Sequence, residues 1–160
     1  MKTHQHTQLQ AALRNHLDKQ HITHFVTLNT NMNMSAATAK TKVQHYLSDI
    51  RARIFRRNCQ HYEWTAWAFL EFTTAGQPHW HLLVQCPANR QQWFNKAAQR
   101  LWTKQARFGT VDVQQVSHTP KRVNEYATKL LNRPDAWDAF VVDSIYPKNE
   151  IQLNNPPKMQ

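Results

Sequence analysis

Two clusters in this sequence carry side chains that could do chemistry together. The first is His79-Trp80-His81, with Glu71 a short stretch upstream. In a strand, residues i and i+2 project to the same face. Both imidazoles therefore point together, while Trp80, Leu82, Val84 and Cys86 point the other way. Two neutral imidazoles side by side can chelate a metal ion. A turn with an odd number of residues sets Glu71 opposite one of the pair and on its face. Two imidazoles and a carboxylate make an open site for Mn²⁺ or Mg²⁺, completed by water or a phosphate oxygen. The plainer reading is two solvent-facing histidines in a chain with ten, and a charged end to the row Trp67, Phe69, Glu71. The second cluster is Tyr126 and Lys129, with Arg122 one turn earlier. Positions three and four apart share a helix face. A phenol among cations suits nucleophilic attack on phosphate, because positive charge favours the phenolate and binds the anion. The plainer reading is a tyrosine packed at the rim of an amphipathic helix.

The elements that must position these residues follow from periodicity. Thr7 to Gln20 reads as a helix with Leu9, Leu13 and Leu17 inward. His24 to Asn29 reads as a strand. Ser35 caps a long helix to about Asn58, with Val43, Leu47, Ile50 and Ile54 as its stripe. Glu63 to Phe72 and His79 to Cys86 read as a hairpin joined by turn residues Thr73 to Pro78. Asn89 caps a helix to about Phe108, ended by Gly109. Thr110 to Ser117 alternates as a strand. Pro120 opens a helix to about Asn132. A last helical stretch is expected from Asp135 to about Val142.

That order predicts an α+β fold with a ferredoxin-like, RRM-like βαββαβ core and extra N- and C-terminal helices. An antiparallel sheet would carry helices mainly on one face and leave the other free for a ligand. Residues 1–146 are expected to form a single domain, and 147–160 a polar, proline-rich tail.

Composition narrows the class. Twenty Lys and Arg against ten Asp and Glu give +10, which points to a polyanionic partner, most simply nucleic acid. Apolar residues at 41% argue against disorder. The two cysteines, Cys59 and Cys86, form no CxxC, so neither a disulfide framework nor a zinc ribbon is expected. The sequence has no membrane-length apolar run and no signal-peptide pattern at its start. A cytoplasmic location is the expectation.

In this order and context the motifs resemble those of the HUH endonucleases, specifically the small single-tyrosine rolling-circle replication initiators (Rep) of plasmids and phages. The strand Phe25-Val26-Thr27-Leu28-Asn29 resembles their first motif. His79-Trp80-His81 matches the His-hydrophobic-His motif. Tyr126-Ala127-Thr128-Lys129 matches the YxxK motif. Glu71 stands where many such proteins place a third metal ligand. Conjugative relaxases place the tyrosine before the histidines. Single-tyrosine transposases share the present order but often have Gln where Lys129 stands.

The resemblance implies metal-dependent nicking and joining of single-stranded or hairpin origin DNA. Glu71, His79 and His81 would hold Mn²⁺ or Mg²⁺. Tyr126 would form a covalent 5′-phosphotyrosine link, and Lys129 would orient phosphate. Arg51, Arg53, Arg56, Arg57, Arg90, Arg100, Lys121 and Arg122 are candidates for contacts to the DNA backbone, or equally for solvated surface charge. No Walker A pattern is present, so the resemblance implies a helicase from the host or another protein. Two alternatives stay open. One is a single-tyrosine transposase. The other is a non-enzymatic RRM-like nucleic-acid-binding module, although the RNP1 pattern is absent. Oligomeric state is not legible.

Overall fold

A computed structural model describes residues 2–54, 63–116 and 120–145. The described elements run α1 (Lys2–Asp18), β1 (His24–Asn29), α2 (Ala36–Ile54), β2 (Trp64–Phe72) and β3 (Pro78–Gln85). They continue with α3 (Gln91–Gln105), β4 (Thr110–Gln115), α4 (Pro120–Ala127), α5 (Pro134–Ala139) and β5 (Val141–Ile145). The expected α+β class is the observed one. Neighbouring strands are antiparallel throughout, in the order β4-β1-β3-β2-β5. The first four strands have the ferredoxin-like order, in which each helical crossover skips one strand. β1 and β3 are the centre, so the histidine pair sits on the best-supported strand.

Alternation along each strand separates two cores. Val26, Leu28, Ala66, Ala68, Trp80, Leu82 and Val84 face α2 and α3, where they meet Val43, Leu47, Ile50, Phe94 and Leu101. These side chains are almost wholly removed from water, the dominant stabilising contribution to such a layer. Ser35 caps α2 as expected, accepting the Thr38 N–H at 3.1 Å. α3 starts differently. A 3-10 turn, Ala88–Arg90, precedes it, and the residue at its cap position is Arg90, with no side-chain cap. Gly109 is required by close approach. A Cβ there would lie 2.5 Å from Trp102 Nε1, which donates to the Asn29 carbonyl at 2.8 Å and ties α3 to the end of β1.

The opposite sheet face is not left open. Trp67, Phe69 and Leu83 pack there against Leu17 of α1 and against Ala127 and Leu131 in and just after α4. The two core helices keep to one face as expected, but α1 and α4 lie across the other. The inner stripe of α1 also differs from expectation. Leu17 is buried, Leu9 is half exposed, and Gln10 is buried in its place. The C-terminal region departs too. α4 ends at Ala127 and turns follow it, while the expected last helix stops at Ala139. Phe140 is extended, and Val141 to Ile145 form β5 against Trp64 to Ala68.

Candidate active site

The hairpin fixes the first three residues. Phe72 pairs with Pro78, leaving a five-residue turn. The odd count sets Glu71 directly opposite His79 and on the same face. Glu71 Oε2 lies 3.1 Å from His81 Nε2 and 3.4 Å from His79 Nε2. One ligand atom from each of the three residues lies within 4.8 Å of the others. Atoms bound to one ion at right angles, with bonds of roughly 2.0–2.6 Å, stand about 3–3.6 Å apart. The carboxylate-to-imidazole spacings match that range, so Glu71, His79 and His81 could hold a metal ion.

The electrostatics suit a cation. Burial holds the His81 imidazole down to about 4, with the neighbouring His79 adding to the effect. Its ring is therefore neutral near pH 7, the form that binds metals. Burial alone would raise the Glu71 carboxyl. The hydrogen bond and charge of Lys129, with the two imidazoles, outweigh it and hold the group below its ordinary value. Lys129 Nζ donates to Glu71 Oε1 at 2.9 Å, leaving Oε2 turned to the histidines.

Neighbours orient the two rings unequally. Phe25 stacks on His81 at 5.4 Å with an interplanar angle of 14°. Thr27, paired with His81 across the sheet, places Oγ1 3.3 Å from His81 Nδ1. A proton on Nδ1 would be donated to Thr27, freeing Nε2 for an ion. His79 Nδ1 is buried with no such partner among the described residues. We expect Thr27→Val to lower Mn²⁺ affinity by about 10–100-fold. Titration calorimetry checks this, with an unchanged circular dichroism spectrum as the control.

Tyr126 stands over this group. Its ring meets His81 edge-on at 5.1 Å and Phe25 at 6.0 Å. Lys129 Nζ lies 4.2 Å from the ring centroid. Although α4 ends at Ala127, the Lys129 N–H still donates to the Tyr126 carbonyl at 3.3 Å. The turn thereby keeps the spacing expected of a helix face, and Tyr126 remains 48% exposed. Tyr46, by contrast, is wholly buried in the α2 core, where burial raises its phenol far above the ordinary value.

Sequence reasoning missed what holds Tyr126 there. Gln10 Nε2 donates to the Thr128 and Lys129 carbonyls at 2.8 and 3.3 Å. Arg14 donates to Thr128 Oγ1 at 2.7 Å and to the Glu125 carbonyl at 3.3 Å. Asn124 Nδ2 donates to Asp18 at 2.8 Å. Gln10, Arg14 and Asp18 recur every fourth residue, the one signal that could have revealed a polar seam. We expect Gln10→Leu to slow any reaction of Tyr126 by about 10–100-fold, since small misplacements of a reacting group cost that much. Single-turnover rates at saturating DNA check it. DNA affinity should stay within about twofold, because the seam lies behind the tyrosine.

The expected cations divide between the faces. Lys121 and Arg122 are exposed on α4, the helix of Tyr126. Arg51, Arg53 and Arg100 lie on α2 and α3, and Arg90 just before α3, all on the far side of the sheet. Arg51 is engaged with Asp143 of β5 at 3.1 Å. Arg56, Arg57 and the segment 147–160 lie outside the described residues.

An antiparallel sheet that presents a His-hydrophobic-His strand, an apposed carboxylate and a tyrosine on a covering helix defines a replication-initiator type of site. Residues 23–131, more than half of the chain, match the ORF2-type replication-associated protein family, and the chain belongs to that family. It is a replication-associated protein of the Rep type. Comparison with curated proteins and with solved structures returned no match. Among the described residues no helix is long and apolar enough to cross a membrane.

Proposed function

We propose that this protein initiates replication by nicking and rejoining single-stranded or hairpin origin DNA. Tyr126 serves as the nucleophile and Glu71, His79 and His81 as ligands for Mn²⁺ or Mg²⁺. The observation that carries this reading is the placement of the Tyr126 ring 5.1 Å from His81, directly beside the three candidate ligands. A divalent ion bound there supplies Lewis-acid polarisation of the scissile phosphate. Tyr126 Oη attacks phosphorus and gives up its proton. The bond from phosphorus to the 3′ oxygen breaks, and that oxygen takes a proton as a free 3′-hydroxyl. The 5′ phosphate stays on the tyrosine. Lys129 holds the Glu71 carboxylate through Oε1 and brings positive charge to the phenol and the phosphate. A later attack by a 3′-hydroxyl on the phosphotyrosine rejoins a strand. Lys121 and Arg122 are placed for backbone contacts beside the tyrosine. The domain is read as 1–146, acting in the cytoplasm with a helicase supplied separately.

The test uses labelled single-stranded DNA of the cognate origin with Mn²⁺. A covalent adduct that survives denaturation and disappears with EDTA supports the reading. Retained binding without any adduct would favour the non-enzymatic module instead. Adduct formation in EDTA would keep the enzyme class but remove the role given to Glu71, His79 and His81. Adduct on transposon ends but not on origins would move the same chemistry to transposition.

A further inference from the structure

A cavity of about 370 Å³ opens beside the site, on the far side of Glu71 from the sheet centre. It arises because β5 pairs with β2 only as far as Ala68. Beyond that point the edge of β2 has no strand partner among the described residues. Leu70, Glu71 and Phe72 of that edge form one wall, and Leu130 and Ala136 face them. An uncovered strand edge offers backbone N–H and C=O groups for pairing. The rim carries Phe72, 44% exposed, and the fork of Arg133 on Asp135 at 2.8 and 3.3 Å. The volume falls in the range of small-ligand pockets, roughly 300–1,000 Å³. An apolar interior with an exposed aromatic ring and a polar edge suits a planar heterocycle bearing hydrogen-bonding groups.

We propose that this cavity takes one unpaired base of the DNA strand, from a nucleotide adjoining the cleaved phosphate. Phe72 stacks on the base, and the Arg133–Asp135 fork reads its edge. The occupant follows from continuity. Glu71 belongs both to the candidate metal group and to the cavity wall. A strand whose phosphate lies at Tyr126 therefore has a neighbouring nucleotide at the cavity mouth. The inference rests on the nicking reading above and adds to it the position where sequence is read.

The test is a pool of single-stranded oligonucleotides with randomised sequence, incubated with the full chain and Mn²⁺. Covalently captured strands are sequenced around the link. The wild-type protein should show a base preference of about tenfold at a position flanking the nick. Phe72→Ala and Arg133→Ala should flatten that position and leave preferences elsewhere intact. Both side chains are surface groups, so the variants should fold, and circular dichroism verifies it. Unchanged preferences in both variants would overturn the subsite while leaving the nicking reading standing. Uniform loss at all positions would also overturn it, since the effect would not be local. Absence of any adduct with wild type would overturn the nicking reading. Strands retained non-covalently then carry the same comparison. A preference removed by Phe72→Ala keeps the subsite, and the lack of one rejects it.

Discussion

Tyr126→Phe should form no covalent protein–DNA adduct, while its affinity for single-stranded DNA stays within about twofold of the parent protein. The substitution removes one hydroxyl and keeps the ring. The edge contacts with His81 and Phe25, and the Lys129 ammonium over the ring face, do not need the hydroxyl. The surrounding fold should therefore persist. Loss of a covalent nucleophile in other enzymes removes about 10⁴-fold or more of the rate, and the adduct itself requires the lost oxygen. Denaturing gels with end-labelled DNA check the adduct, and fluorescence anisotropy checks binding. An adduct retained by the variant would place the nucleophile elsewhere. Tyr46 is a poor substitute because it is wholly buried across the sheet. Tyr62 and Tyr146 lie outside the described residues and would be the next to test.

The second large effect is expected for Glu71→Gln. The carboxylate makes two contacts with opposite consequences. Oε2 faces the two histidine Nε2 atoms, and Oε1 accepts from Lys129. Gln keeps the shape but loses the charge that hard divalent cations favour. Mn²⁺ affinity should fall by about 100-fold or more, at the strong end of changes around metal sites. Adduct formation should fall with it and recover in part at high Mn²⁺. The salt dependence of DNA binding should not change, because it reports phosphate contacts, each contributing about −0.7 to the slope on single strands. Electron paramagnetic resonance of free Mn²⁺ measures the affinity directly. Equal Mn²⁺ affinity in parent and variant would exclude Glu71 as a ligand.

The parts of the site that could be read from sequence are those governed by period two. One alternation set His79 and His81 together and turned Trp80, Leu82 and Val84 into the core. Parity alone put Glu71 opposite His79. Long-range packing between helices was not legible in the same way. Leu9, Leu13 and Leu17 suggested the inner stripe of α1, yet Gln10 is the buried neighbour because its partners are carbonyls more than a hundred residues away. Periodicity records apolarity and is blind to a polar residue that finds a remote acceptor. β5 was missed for a related reason. Trp137, Phe140 and Val141 are spaced as on a helix, but the open edge of β2 offers Val141 a strand partner. The cations were visible as a charge total, which carries no information about which face of the sheet each one occupies.

The α1–α4 seam also bears on the order in which the molecule becomes competent. Its bonds join residues 118, 114 and 106 positions apart. Such contacts close only after most of the chain exists, and their closure entropy makes them late events in folding. During synthesis α1 emerges first and must wait for residues 124–129 to reach it. The hairpin bearing Glu71, His79 and His81 needs no such wait. The chain can thus assemble its candidate ligands early and lock the tyrosine last. Amide exchange in 124–131 should accordingly be faster than in β1 and β3, marking the segment that opens first and closes last.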